Sequence, residues 1–122
     1  MESPASISSR DLSGLLVSAS APLIVDVRRA AAFDTDSQML VSAQRGAPDR
    51  VAEWGQQIPV GQLVVVYCVR GHEVSQTVAA AQRDAGCDAR YVEGGIIGWA
   101  ELGLLLRAKA EPQPPAASGG RA

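Results

Sequence analysis

The sequence predicts an α/β protein of three layers, a central parallel sheet of four to five strands between helices. Short continuous apolar runs, LIVDV from Leu23 and LVVVY over Leu63–Tyr67, read as strands covered on both faces. Segments with helical spacing alternate with them, which calls for parallel pairing through right-handed crossovers. The composition is 47% hydrophobic but only 4% aromatic, so aliphatic side chains fill the core, as suits helices packed closely on a sheet. A chain of 122 residues holds apolar material for one such core and not for two.

Each element has its own signal. Ser8 or Ser9 can cap a first helix in which Leu12, Leu15, Leu16 and Ala19 recur at helical spacing, until Ala21 and Pro22 stop it. LIVDV follows. Residues 28–33 are charged and alanine-rich and residues 34–38 polar, before Met39, Leu40 and Val41 offer a second short strand. Pro48 opens a helix carrying Val51, Trp54 and Ile58 on one side, which closes at Pro59.

The most apolar strand, LVVVY, leads straight into Cys68. Val74, Val78, Ala81 and Ala85 then form one helical stripe that Gly86 is placed to close, so residues 68–73 are a strand-to-helix loop. A last strand from Ala89 to Val92 runs into Gly94 and Gly95, read as turn glycines, and residues 97–106 supply a short helix and an apolar return. The domain is expected over residues 1–110. EPQPPAASGGRA, residues 111–122, has no apolar period and reads as a disordered tail.

Composition narrows the function. The net charge is −2 and the 11 basic residues are scattered, which argues against nucleic acid as a partner. The longest apolar stretch, residues 63–69, falls far short of the roughly 20 residues of a membrane span. MESPASISSRD lacks the features of a secretory signal, so a cytoplasmic protein is expected, in which a Cys68–Cys87 disulfide is the weaker reading and at least one thiol is free. Besides Cys68 and Cys87 the chain has a single histidine, His72, too few soft ligands for a closed zinc site; no metal is expected.

The chemistry points to Cys68. A thiol at a helix N-terminus meets unpaired amides and the positive end of the helix dipole, which favour its anion. The loop amides can form a concave nest for a thiolate, a persulfide or a sulfur oxyanion; Gly71 permits the curvature, and Arg70 and His72 can add charge or hydrogen bonds. Asp26 and Arg28, at the end of the first strand, can line the same site or form a structural ion pair. Cys87 follows the helix-closing Gly86 at the opposite end and reads as structural or incidental, while Trp54 and Trp99 belong to the core.

Three segments in order, DVRRAAAF from Asp26, YCVRGHEVS from Tyr67 and EGGIIGW from Glu93, resemble the motifs of the rhodanese family, and the resemblance covers about residues 7–106. It implies a rhodanese-like fold and a sulfurtransferase. On that resemblance the Cys68 thiolate would take a sulfane sulfur from thiosulfate or from a persulfide or polysulfide donor and hand it to cyanide, a small thiol or a protein acceptor, without a cofactor. Loop residues Val69, Arg70, Gly71, His72, Glu73 and Val74 would surround the sulfur. Many active relatives carry a basic residue where this chain has Glu73, whose charge should repel thiosulfate. MLVSAQR, from Met39, also lacks the Pro-Gly-Ala of many relatives. The wording of the cysteine loop is similar to that of a subgroup associated with bacterial chromate-resistance modules.

Two other readings use the same cradle. A cysteine phosphatase needs an arginine six residues after the nucleophile to clamp a tetrahedral oxyanion, and that position is Val74. A non-enzymatic persulfide or redox sensor, or a binding module, would modify the same thiol once and stop.

Overall fold

The computed structural model describes residues 6–18 and 21–109. Ala19 and the tail from Glu111 lie outside the described residues. The main sheet has five parallel strands in the order β1-β6-β5-β2-β4, formed by Ser6–Ile7 (β1), Leu23–Asp26 (β2), Gln44–Arg45 (β4), Leu63–Tyr67 (β5) and Asp88–Val92 (β6). Register sets Asp26 beside Tyr67 and beside Arg45, so the carboxyl ends of β2, β4 and β5 lie side by side.

Alternation along the strands makes two cores. On one face Ile24, Val65 and Tyr67 pack with Leu12 of α1 (Ser9–Leu16) and with Ile96 and Trp99 of α5 (Gly95–Glu101). On the other, Val25, Val64 and Val66 pack with Val78 and Ala79 of α4 (Glu73–Asp84) and with Val51 and Trp54 of α3 (Val51–Trp54). This is the three-layer arrangement expected of strands apolar on both faces.

Local signals decide the helix ends. Ser8, not Ser9, caps α1: its hydroxyl accepts the Asp11 amide at 3.0 Å. The stretch from Pro48 is not one helix. It divides into 3-10 turns at Pro48–Arg50 and Gly55–Gln57 around the single turn of α3. Gly55 passes so close to the Gln82 side chain that a Cβ would collide with it, and Pro59 forces Ile58 into extended backbone.

Two further departures concern the segment after Val27. A short helix, α2 (Ala30–Thr35), occupies the alanine-rich residues that carried no strong period. The strand expected at Met39 is Gln38–Leu40 (β3), but it stands outside the main sheet, antiparallel to Leu106–Ala108 (β7). In α4 the buried side chains are Ser75, Val78, Ala79 and Gln82, so the inward stripe is rotated from the apolar one and includes polar residues. Among the described residues, no helix is long and apolar enough to cross a membrane.

Candidate active site

Cys68 leaves the carboxyl end of β5 and α4 begins at Glu73, which leaves five residues, 68–72, to reverse the chain. The Cys68 thiol is nearly buried, at 6% exposure. Its Sγ lies 3.2 Å from Ser75 Oγ on the first turn of α4, and the Ser75 hydroxyl in turn reaches the His72 carbonyl at 3.4 Å. With the thiol protonated, S–H donates to the hydroxyl and the hydroxyl donates to the carbonyl. Once the thiol ionises, the hydroxyl can turn and donate to the sulfur.

Burial is the largest influence on this thiol and pushes it up, but the Ser75 hydroxyl and the backbone amides of Ser75, His72 and Gly71 outweigh burial. Together they hold Cys68 below its ordinary value. The result is an anion nest at a helix N-terminus, made of backbone and one hydroxyl.

The nest is braced from behind by α5. Ile96 N–H donates to the Cys68 carbonyl at 3.0 Å and Ile97 N–H to the Val69 carbonyl at 3.1 Å. With those carbonyls tied outward, the following amides face the sulfur. The approach needs glycine: a Cβ on Gly95 would stand 2.4 Å from the Val69 oxygen and 2.5 Å from the Cys68 oxygen, and one on Gly71 2.7 Å from the Val92 oxygen. Both residues have positive φ, 60° and 76°. Gly95 is thus more than a turn glycine, a role that only the packing of α5 on the loop reveals.

The strand, the cysteine loop and the glycine-backed helix all fall within residues 9–102, which match a family model described as a rhodanese-like domain. The chain belongs to the rhodanese-like family. Solved structures agree in fold. A rhodanese-like domain protein of Staphylococcus aureus is 26% identical with a TM-score of 0.72, covering 86% of this chain and 98% of its own. A rhodanese-related protein of Thermoplasma volcanium is 22% identical with a TM-score of 0.73, covering 85% and 98%. A Rhodopseudomonas palustris protein of unknown function, described as a possible tyrosine phosphatase, is 22% identical with a TM-score of 0.71, covering 84% and 83%. No curated protein matches the chain. Membership places the chain in the sulfurtransferase superfamily.

The rhodanese-like loop opens onto a cavity of about 350 Å³ lined by Cys68, Val69, Arg70, His72, Glu73 and Val74 of the loop and by Arg29 and Ala32 across from it. Gly71 contributes its amide instead of its surface. Asp26 and Arg28 are elsewhere. Both are fully buried, and the Arg28 guanidinium spends its donors on Asp26 (2.7 Å), Asp36 (2.8 Å) and the Gln38 carbonyl (3.0 Å).

Tyr67 completes that cluster, its hydroxyl donating to Asp26 at 2.9 Å and accepting the Leu40 amide at 3.1 Å. Burial, reinforced by the Asp26 charge, pushes the Tyr67 hydroxyl up, so it stays protonated. The cluster ties β2 and β5 to β3 and lines no part of the cavity. Its neighbour Arg29 does line it, and among the described residues the Arg29 guanidinium makes no hydrogen bond or ion pair. Adjacent arginines with the same side chain are told apart only by which way the strand end turns them.

Proposed function

We propose that this chain is a rhodanese-type sulfurtransferase that carries sulfane sulfur as a Cys68 persulfide. The observation that carries this reading is the convergence on Cys68 Sγ of the Gly71, His72 and Ser75 amides and the Ser75 hydroxyl. These donors stabilise a sulfur anion at Sγ and, one bond further out, the terminal sulfur of a persulfide, with no side-chain base required.

The reaction has two displacements. The Cys68 thiolate attacks the outer sulfur of the donor, the donor's sulfur–sulfur bond breaks, and the leaving group, sulfite or a shorter polysulfide, departs with the bond pair. The acceptor, cyanide or a thiolate of a small molecule or a protein, then attacks the outer sulfur, and the pair of the bond to Cys68 returns to Sγ. Sulfur changes hands without an external oxidant. Phosphate-ester cleavage fits less well, because Val74 stands where the loop would need its anion-clamping arginine. A reducing cytoplasm would keep Cys68 ready for the first step.

Glu73 lines the cavity and sets donor preference. Its carboxylate disfavours a dianion such as thiosulfate relative to a less charged polysulfide. The test is intact mass after incubation of the reduced protein with each donor. One added sulfur is expected, more from polysulfide than from thiosulfate, removed by cyanide and absent in Cys68→Ala. No adduct from either donor overturns the reading.

A further inference from the structure

The Cys68 cavity is not closed on all sides. A second chamber of about 450 Å³ adjoins it and shares Arg29, Glu73 and Val74 as common wall. Beyond that wall it runs along the outer side of α4 past Thr77, with Asp49 opposite. Thiosulfate or cyanide has only a handful of heavy atoms and would occupy the first chamber alone. The second is of the size that holds a small organic ligand, about 300–1,000 Å³.

The charges in this second space are of two kinds. Arg45 is committed to the fold: its guanidinium donates to the Asp26 and Arg28 carbonyls at 3.2 and 2.6 Å and lies 4.2 Å from the Phe33 ring centre. Arg29, Glu73 and Asp49 are uncommitted, since among the described residues none of them makes a hydrogen bond or ion pair through its side chain. All three are exposed. Arg70, exposed and likewise unpaired among the described residues, lines the first chamber, so two free guanidiniums and two free carboxylates surround the cleft, a set that matches a ligand bearing both a carboxylate and an ammonium group. A plain anion would meet two repulsive groups there.

We propose that the two chambers form one acceptor site for a low-molecular-weight amino-acid-type thiol, with its sulfur at Cys68, its carboxylate at Arg29 and its ammonium between Glu73 and Asp49. The inference rests on the sulfur-transfer reading and names its acceptor class. The acceptor thiolate attacks the outer sulfur of the Cys68 persulfide, the bond to Sγ breaks with its electron pair left on Sγ, and the product leaves as an amino-acid persulfide.

The test separates loading from discharge. The full chain is loaded with polysulfide, confirmed by mass, and discharged with L-cysteine, cysteamine, mercaptopropionate or mercaptoethanol, each normalised to its rate with a free small-molecule persulfide. L-cysteine is expected to exceed each of the others by roughly ten-fold in kcat/KM, the scale of one charge-assisted hydrogen bond. Thr77→Phe, which fills the second chamber, and Asp49→Asn, which keeps its shape, should each lower the L-cysteine rate relative to the cyanide rate, mainly through KM. A loaded protein that discharges to cyanide but treats the four thiols alike, with both variants at the parent ratio, overturns the acceptor proposal alone. A protein that never loads overturns the sulfur-transfer reading beneath it.

Discussion

The two ends of α4 each hold a cysteine, and the pair is a controlled comparison within one molecule. Cys68 and Cys87 are equally buried, at 6% and 7% exposure, and each touches a buried polar side chain of the helix, Ser75 at 3.2 Å and Gln82 at 3.6 Å. What differs is the direction of the backbone. At the N-terminal end three amides turn toward Cys68 Sγ; at the C-terminal end Cys87 S–H donates to the Pro59 carbonyl at 3.7 Å, and the thiol lines neither chamber of the cleft. Burial alone therefore does not separate the two thiols; the backbone groups that face them do, amides at one end of the helix and a carbonyl at the other.

The largest effect is expected from the glycine that braces the Cys68 end. In Gly95→Ala the new Cβ meets two carbonyl oxygens at 2.4 and 2.5 Å, and backbone cannot step aside as a flexible side chain would. With φ at 60° as well, about 2–4 kcal/mol of stability should be lost. Whatever protein remains folded should load sulfur at least roughly 100-fold more slowly, because carbonyls pushed off α5 no longer hold the amides inward. Gly86→Ala is the matching change at the other end. There φ is 98° but the nearest atoms belong to the Val60 side chain at 3.2 Å, so about 1–2 kcal/mol is lost and the loading rate of the folded protein stays at the parent value. Equal loading by the two variants would show that α5 does not hold the nest.

A smaller effect should come from the hydroxyl. Burial pushes the Cys68 thiol up while Ser75 and the amides together pull it below the ordinary range, so the thiolate persists as pH falls until that lowered value is crossed. Ser75→Ala removes one donor and keeps the amides. The midpoint of the alkylation-rate profile of Cys68 should then move to higher pH, and the rate at neutral pH should drop roughly 2- to 10-fold, the worth of one hydrogen bond. A purely structural role for Ser75 would lower stability and leave that midpoint where it was.

The parts of this fold that sequence reveals are those with length. LIVDV, LVVVY and the helix after Cys68 each carry enough residues to show a run or a period, and the strand-to-helix loop between the last two follows directly. β1 and β4 are two residues each and have no period to show, while α2 lies among alanines that pack on neither core. The site divides the same way. Cys68 and its loop are legible because local chemistry defines them, whereas Ser75, Gly95 and Arg29 gain their roles from contacts between elements.

Ser75 and Gln82 were hidden for a further reason. They sit on the inward face of α4, where an apolar stripe is expected, and can do so because each satisfies a polar atom against a cysteine. The rotation of the buried stripe relative to the apolar one is the trace that this pairing leaves in the sequence.

The smallest effect tests the quiet end. Cys87→Ala deletes a buried sulfur, leaves the Gln82 amide without the acceptor it has at 3.6 Å, and opens a void of about one atom. The expected loss is about 1–2 kcal/mol, a few degrees in melting temperature, with sulfur loading and discharge at parent rates. Peptide mass mapping after digestion should place the added sulfur on Cys68 alone. If Cys87 acquired sulfur as fast as Cys68, the orientation of α4 would not be what separates the two thiols. Opening of the fold around Pro59 would then have to expose Cys87, and polysulfide loading would track that opening instead of the amide nest.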